Sequence, residues 1–238
     1  MNSTLDLYAS SFGLILKTRI AALKVLAERR DSAAPLRNRR EQILEVARIL
    51  MIERGGVSAV TMRGVARATG ISPGNLSYYY PNYDSLIDAL LEWVIAPYLS
   101  EFELLQMEAD DDPTDALRLV MAYVLDDLAK KDTTMFFPEL WVLTNRDDGP
   151  AQKMRKLYDS YVNVLRKLIA EIRPDLEDRS VTELAVFICA SIEGQTVFIG
   201  YKRPHEEHQE AMKQLALDTM IFAVINKKIK EVNNEHIG

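Results

Sequence analysis

A capped, glycine-hinged pair of short helices is written into residues 61–86, Thr-Met-Arg-Gly-Val-Ala-Arg-Ala-Thr-Gly-Ile-Ser-Pro-Gly-Asn-Leu-Ser-Tyr-Tyr-Tyr-Pro-Asn-Tyr-Asp-Ser-Leu, and no other stretch constrains the fold as strongly. Thr61 is a good N-cap. Val65 and Ala66 give the helix that follows an apolar side, with Ala66 small enough for a second helix to cross close by. Gly70 supplies the positive φ that a tight inter-helix turn needs. Ile71 fills the angle between the helices, and Ser72-Pro73 restarts the chain as N-cap and first helical residue. Leu76 is the inward anchor of the second helix. An Ala, a Gly four residues on and an aliphatic residue six beyond that is the spacing of a helix-turn-helix.

The residues left facing outward separate DNA reading from plain packing. With Leu76 turned inward, Gly74, Asn75, Ser77, Tyr78 and Tyr79 are outward or flanking, and most carry hydrogen-bonding groups. Asn pairs with adenine edges, and Ser and Tyr hydroxyls bond bases or phosphates. The alternative, an ordinary helical hairpin inside a core, fits three consecutive tyrosines poorly. Charge agrees with the first reading. The whole chain is acidic, net −6, which by itself argues against a polyanion partner. Up to Tyr80, however, 12 basic side chains stand against 6 acidic ones, a balance of +6 that leaves −12 for the remainder. A basic amino-terminal part on an acidic body suggests one face for phosphate and another module for something else. The cluster Arg37, Arg39 and Arg40 reads either as part of that face or as a solvated charge run.

Together these residues resemble the TetR (tetracycline-repressor-like) family of bacterial one-component transcription regulators. Residues 40–55 look like that family's first helix and its glycine stop, followed by Val60-Thr61, Val65-Ala66, Gly70-Ile71-Ser72 and Leu76, so that the match covers about residues 36–91. Two positions depart from the pattern. Ser77 stands where members commonly have Tyr, and Tyr83 where they commonly have a phosphate-contacting Lys at the start of the fourth helix. A hydroxyl still bonds a phosphate oxygen, but without a full charge the contact is weaker and less salt-dependent. Tyr80, where the family usually has Phe, reads as a core wedge. The residues expected to meet DNA are Thr61, Arg63, Ser72, Gly74, Asn75, Ser77, Tyr78, Tyr79 and Tyr83.

The expected fold is all-α. At 238 residues with a 48% hydrophobic share, the chain has material for a second core beyond the DNA-binding unit. The expected division is an amino-terminal helical extension over 1–35, a three-helix DNA-binding domain over 36–82, and a larger helical effector-binding and dimerisation domain over 83–238. Asn82 and Asp84 open a helix with Leu86, Ile87, Leu90, Leu91, Val94 and Ile95 at helical spacing, which must tolerate or kink at Pro97. Further helices are expected from Asp112-Pro113 to Leu128 and from Thr133-Thr134. After a break at Gly149-Pro150, another is expected over 151–172, ended by Pro174. No alternating strand pattern is present.

Segments 180–201 and 206–232 are apolar or small on nearly every side, and a helix of that kind must be covered on most faces. The family resemblance implies that they form a four-helix interface with the same segments of a second copy, setting two recognition helices ~34 Å apart for successive major grooves of a palindromic operator. The middle helices would then enclose a pocket for a small-molecule effector. Its expected lining is Trp93, Tyr123, Phe137, Trp141, Asn145, Tyr161, Glu193 and Phe198, with Phe136, Tyr158, Gln195 and Arg146 nearby. Glu193, set between Ile192 and Gly194 in an apolar helix, either points to solvent at the interface rim or has a buried polar role.

Other chemistries find less support. His205-Glu-Glu-His208 brings two imidazoles and carboxylates within one turn, but no distant Cys or further His completes a metal centre, and a solvated helix start explains it. There is no phosphate-cradling glycine loop, no cofactor is expected, and the chain is not expected to be an enzyme. Cys189, between apolar neighbours, reads as a buried structural thiol. No apolar run of membrane-spanning length and no signal-peptide pattern is evident, so a soluble, cytoplasmic protein is expected. Residues 5–26 form an amphipathic pattern bearing Lys17, Arg19 and Lys24, which keeps a partner-binding or membrane-surface adaptor as the rival reading.

Overall fold

The computed structural model describes residues 38–107, 112–145 and 148–226, with side chains except at 102–107. The expected helix over 5–26, Arg146 and the end of the last expected helix lie outside the described residues. Among these residues the chain is helical throughout: α1 (Arg39–Glu53), a 3-10 turn (Gly56–Ala59), α2 (Met62–Thr69), α3 (Pro73–Tyr79), α4 (Tyr83–Met107), α5 (Pro113–Leu128), α6 (Lys131–Thr144), α7 (Asp148–Ile172), α8 (Asp178–Ile199), a second 3-10 turn (Glu206–His208) and α9 (Gln209–Asn226).

The caps read from sequence form. Asn38 opens α1, its side chain accepting from the Glu41 N–H, and Thr61 does the same for α2 with the Gly64 N–H at 3.0 Å. Gly70 sits at φ +72 and closes α2, with the Ile71 N–H reaching the Ala66 carbonyl at 3.0 Å. The Asn82 side chain accepts from the Ser85 N–H at 2.8 Å while the Ser85 hydroxyl receives the Asn82 N–H at 3.2 Å, a reciprocal cap that starts α4. The anchors of the motif are inside: Val65 0%, Ala66 1%, Leu76 0% and Tyr80 4% exposed.

Two helix starts differ from the expectation. Pro150 does not break the chain. It falls in the first turn of α7, where no intrahelical partner exists for its missing N–H. Nor do Thr133 and Thr134 open α6. The helix begins at Lys131, and both threonines are buried, donating to the Asp127 carboxylate and the Leu128 carbonyl at 2.9 and 2.8 Å. Pro97 is carried inside α4, which continues past it to Met107.

One contiguous apolar core runs from Ile43 in α1 to Val224 in α9 and crosses the expected boundary at 82/83. Within it α7 packs against α4, α5, α6 and α8. The DNA-binding part is seated on α6 by polar contacts as well. Arg48 pairs with Asp132, Glu53 pairs with Lys131, and the Val57 N–H donates to Glu139 Oε2 at 2.8 Å. That last contact dictates Gly56: its φ is +75, and a Cβ there would lie 2.1 Å from Glu139 Oε2.

The helix α8 does pass the length and composition test for crossing a membrane, with a mean hydropathy of 1.4 over 18 residues, contrary to the sequence expectation. Its inner stripe of Val181, Leu184, Ala185, Ile188, Ile192 and Ile199 is buried on the core, while Val186, Phe187, Val197 and Phe198 on its other side are exposed.

Candidate nucleic-acid interface and effector cavity

The recognition helix presents a polar face on a fixed base. Leu76 points into the core, and Asn75, Ser77 and Tyr78 lie exposed beside it, Tyr78 at 79%. Tyr79 is half-buried and meets the Tyr78 ring edge-on at 5.3 Å. The Ser77 hydroxyl donates back to the Pro73 carbonyl at 3.1 Å, so its proton is engaged within the helix. Ser72 serves as the N-cap, accepting from the Asn75 N–H at 3.1 Å. Gly74 is exposed with nothing within 4 Å of where a Cβ would stand, so no packing demand requires glycine there. Thr61 and Arg63 are exposed at the start of α2.

Arg40 joins this face. Its guanidinium lies 6.0 Å from the Tyr79 ring centroid and 5.5 Å from that of Tyr80, and the Tyr80 phenol donates to the Arg40 carbonyl at 3.2 Å. Arg39 caps α2 from the side, donating to the Thr69 carbonyl at 3.2 Å. Arg39 and Arg40 are thus part of the scaffold around α2 and α3, while Arg37 lies outside the described residues. Sequence spacing gave no sign of this scaffold, because the pairing spans about forty residues. Tyr83 is placed differently from its expected role. It is half-buried, and it lines a cleft with Ile87, Leu143, Gly149 and Pro150 of the body. Burial pushes its phenol above the ordinary tyrosine range. It sits at the linkage between the two parts of the molecule instead of among the open donors of α3.

The second site is a narrow cavity with an empty volume, mouth included, of ≈ 430 Å³, lined from α4, α5, α6, α7 and α8. Of the expected lining, Tyr123, Phe137, Tyr161 and Glu193 are there. Trp141 stands behind it, its indole N–H donating to the Tyr158 hydroxyl at 3.1 Å. Trp93 packs on the core elsewhere, Asn145 is exposed at the end of α6, and Phe198 is 61% exposed on the outer side of α8. These three do not line this cavity: helical phase turns Phe198 away from the stripe that carries Glu193 inward. Gln195 lines a separate crevice between α5, α8 and α9. Tyr98, Asp127, Thr133 and Leu157 line the cavity and were missed. Tyr98 follows a proline and Asp127 is one of two adjacent aspartates, so neither is distinguished by pattern.

Each of three buried or half-buried carboxylates receives a phenol. Tyr123 donates to Glu101, Tyr98 to Asp127 at 3.2 Å, and Tyr158 to Glu193 at 3.3 Å. Asp127 also accepts from Thr133 and has the Lys130 ammonium at 3.3 Å. Burial raises Glu193 to about 7, against the lowering effect of the Tyr158 hydrogen bond. Burial likewise pushes the Cys189 thiol up to about 12, as an unreactive interior thiol requires. The exposed trio His205, Glu207 and His208 has potential ligand atoms within 4.8 Å of one another.

Helices α1 to α3 and the start of α4 carry a family match: residues 43–90 fit the model of bacterial regulatory proteins of the tetR family. Over those residues the chain carries the amino-terminal domain of the tetR family. The nucleoid occlusion factor SlmA of Actinobacillus pleuropneumoniae is 23% identical over 192 residues, covering 79% of this chain and 94% of that protein. The HTH-type transcriptional regulator BetI of Burkholderia thailandensis is 28% identical over 159 residues, 66% and 78% of the two chains. Among solved structures, a transcriptional regulator from Rhodococcus sp. Rha1 superposes with a TM-score of 0.62 at 17% identity, covering 79% of this chain and 96% of that one. FadR of Bacillus subtilis, solved with stearoyl-CoA, gives 0.56 at 14% identity over 79% and 98%. At such identities the superpositions speak for the fold. The matched residues are those of a bacterial regulatory protein's DNA-binding domain.

Proposed function

We propose that this chain is a TetR-family regulator, a cytoplasmic homodimeric repressor that binds a palindromic operator and leaves it when a small molecule enters the body. The observation that carries the proposal is the exposed polar face of α3, Asn75, Ser77 and Tyr78, held on a buried Leu76 anchor beside Arg40. Dimerisation is supported by an outward apolar stripe on α8 and α9. Val186, Phe187, Val197 and Phe198 on one, and Leu215, Phe222 and Ile225 on the other, are 45–66% exposed. Contiguous apolar surface of this kind marks an association site, and a second copy would present the same stripe in twofold register.

Two helices connect the sites. The first, α4, runs about 37 Å from the cap at Asn82 and carries Tyr98 to the cavity. The second is α6, which lends Thr133 and Phe137 to the cavity and Asp132 and Glu139 to the DNA-binding part. A ligand that displaces Thr133 and Phe137 therefore acts on the same rigid element that holds α1 and the Gly56 turn. The ligand shifts the equilibrium only by its differential affinity for the operator-competent and released arrangements.

The test is selection of bound duplexes from a random DNA pool with the full-length chain at near-physiological salt. Recovery of a palindrome supports the proposal; a folded dimer that enriches no sequence refutes operator reading. The relative named as a nucleoid occlusion factor motivates a second reading, DNA binding dispersed over the chromosome. A genome-wide binding map separates the two, since a local repressor occupies few sites and a dispersed binder many.

A further inference from the structure

The cavity, taken on the preceding reading as the effector site, is acidic and aromatic with no base in its lining. Its charged lining residues are Asp127 and Glu193, and among the described residues no Lys, Arg or His lines it. The two carboxylates differ. Asp127 has the Lys130 ammonium at 3.3 Å. Glu193 has one hydrogen bond, from the Tyr158 phenol at 3.3 Å, and no ion pair with a described residue. A carboxylate held inside without a counter-charge is unfavourable, and it holds its proton more tightly for that reason. The space in front of it is walled by the rings of Tyr98, Tyr123, Phe137, Tyr158 and Tyr161. Aromatic faces attract cations, and a phenol that donates its proton to a carboxylate, as Tyr98 and Tyr158 do, has a more electron-rich ring.

We infer that the cavity takes a small organic cation, an amine or quaternary ammonium, whose charge lies at the Glu193 carboxylate and whose alkyl or aryl body lies against Tyr123, Phe137 and Tyr161. An anion of the same size would meet two carboxylates with no cationic group in the lining to receive it. A neutral ligand gains nothing from Glu193, which keeps its proton beside it, whereas a cation favours the ionised carboxylate. The enclosed part of the cavity is narrow, with room for about a water molecule, so the ligand enters by displacing lining side chains such as Thr133 and Phe137.

The experiment is calorimetric titration of the full chain with phenyltrimethylammonium, with tert-butylbenzene, which has the same shape and no charge, and with benzoate. The expected result is binding of the cation at least tenfold tighter than its neutral isostere, and no binding of benzoate. Glu193→Gln should lower affinity for the cation at least tenfold and leave that for tert-butylbenzene within twofold. Glu193→Asp, which keeps the charge, should retain the preference, so that loss through misfolding is told apart from loss of charge. Equal affinity for cation and isostere overturns the inference but leaves the cavity as a ligand site. The same holds if none of the three binds while another compound releases the operator. A cation that still binds undiminished to Leu157→Trp, with the cavity filled, overturns the inference and the effector reading of the cavity together.

Discussion

Single residues show where side-chain chemistry departs from what packing asks. Gly74 occupies a helical position with open space around its missing Cβ, and glycine in a helix is less stable than alanine by about 0.5–1 kcal/mol. Gly74→Ala should therefore raise the unfolding midpoint in urea while weakening operator binding, if DNA approaches the backbone closely there. Unchanged DNA affinity removes Gly74 from the interface. Arg63→Ala should weaken binding to all duplexes about equally and lower the slope of log affinity against log salt by roughly one, as loss of one phosphate contact requires. Glu193 makes a pH prediction. Its carboxyl is raised from 4.5 to about 7 in the folded chain. Between those values the unfolded chain has lost the proton and the folded one keeps it, so stability falls as pH rises through the window and the penalty is complete above it. Glu193→Gln should stabilise the ligand-free protein at pH 8, by at most about 3 kcal/mol, and do little at pH 4. Thermal melts at the two pH values check the sign.

At the scale of elements, amphipathic phase decides which faces are covered. Along α8, Leu184, Ile188 and Ile192 are buried while Phe187 and Phe198 stand 56% and 61% exposed. Along α9, Leu217, Met220 and Val224 are buried and Phe222 is 66% exposed. A monomer leaves these rings in water at about 25 cal/mol for each Å², which is the drive for a second copy to cover them. Phe222→Glu should accordingly dissociate the proposed dimer, measured by sedimentation, with little change in helicity because the side chain has no intrachain core to lose. A monomeric wild-type chain at micromolar concentration refutes the proposed interface. The sequence made the apolar character of both segments legible, but not the side that faces out. Phe198 was placed in the pocket because a helix apolar all round carries no phase signal of its own.

For the molecule as a whole, the proposed release mechanism would run through the seat of the DNA-binding part on α6. Glu139→Gln keeps the shape but weakens the charge-assisted bond to the Val57 N–H, and should change ligand release of the operator more than it changes affinity in the absence of ligand. Equal effects on both would place Glu139 in local stability alone. Gly56→Ala should destabilise by about 1–2 kcal/mol through its positive φ of +75 and push the Glu139 carboxylate off the Val57 N–H, measured by urea unfolding. By itself the sequence determined the all-helical class, the caps at Thr61, Ser72 and Asn82, the hinge at Gly70 and the inward anchors Val65, Ala66, Leu76 and Tyr80. These are local signals, set by backbone conformation and by spacing within one or two turns. Tertiary structure alone decided that Arg40 lies against Tyr79, that Tyr83 turns to the body, that α6 carries both a cavity wall and the DNA-binding seat, and that Tyr98 and Asp127 join Glu193 around one cavity. Those contacts join residues tens of positions apart in the chain, and their geometry depends on how whole helices pack, which the spacing of residues within any one helix does not encode.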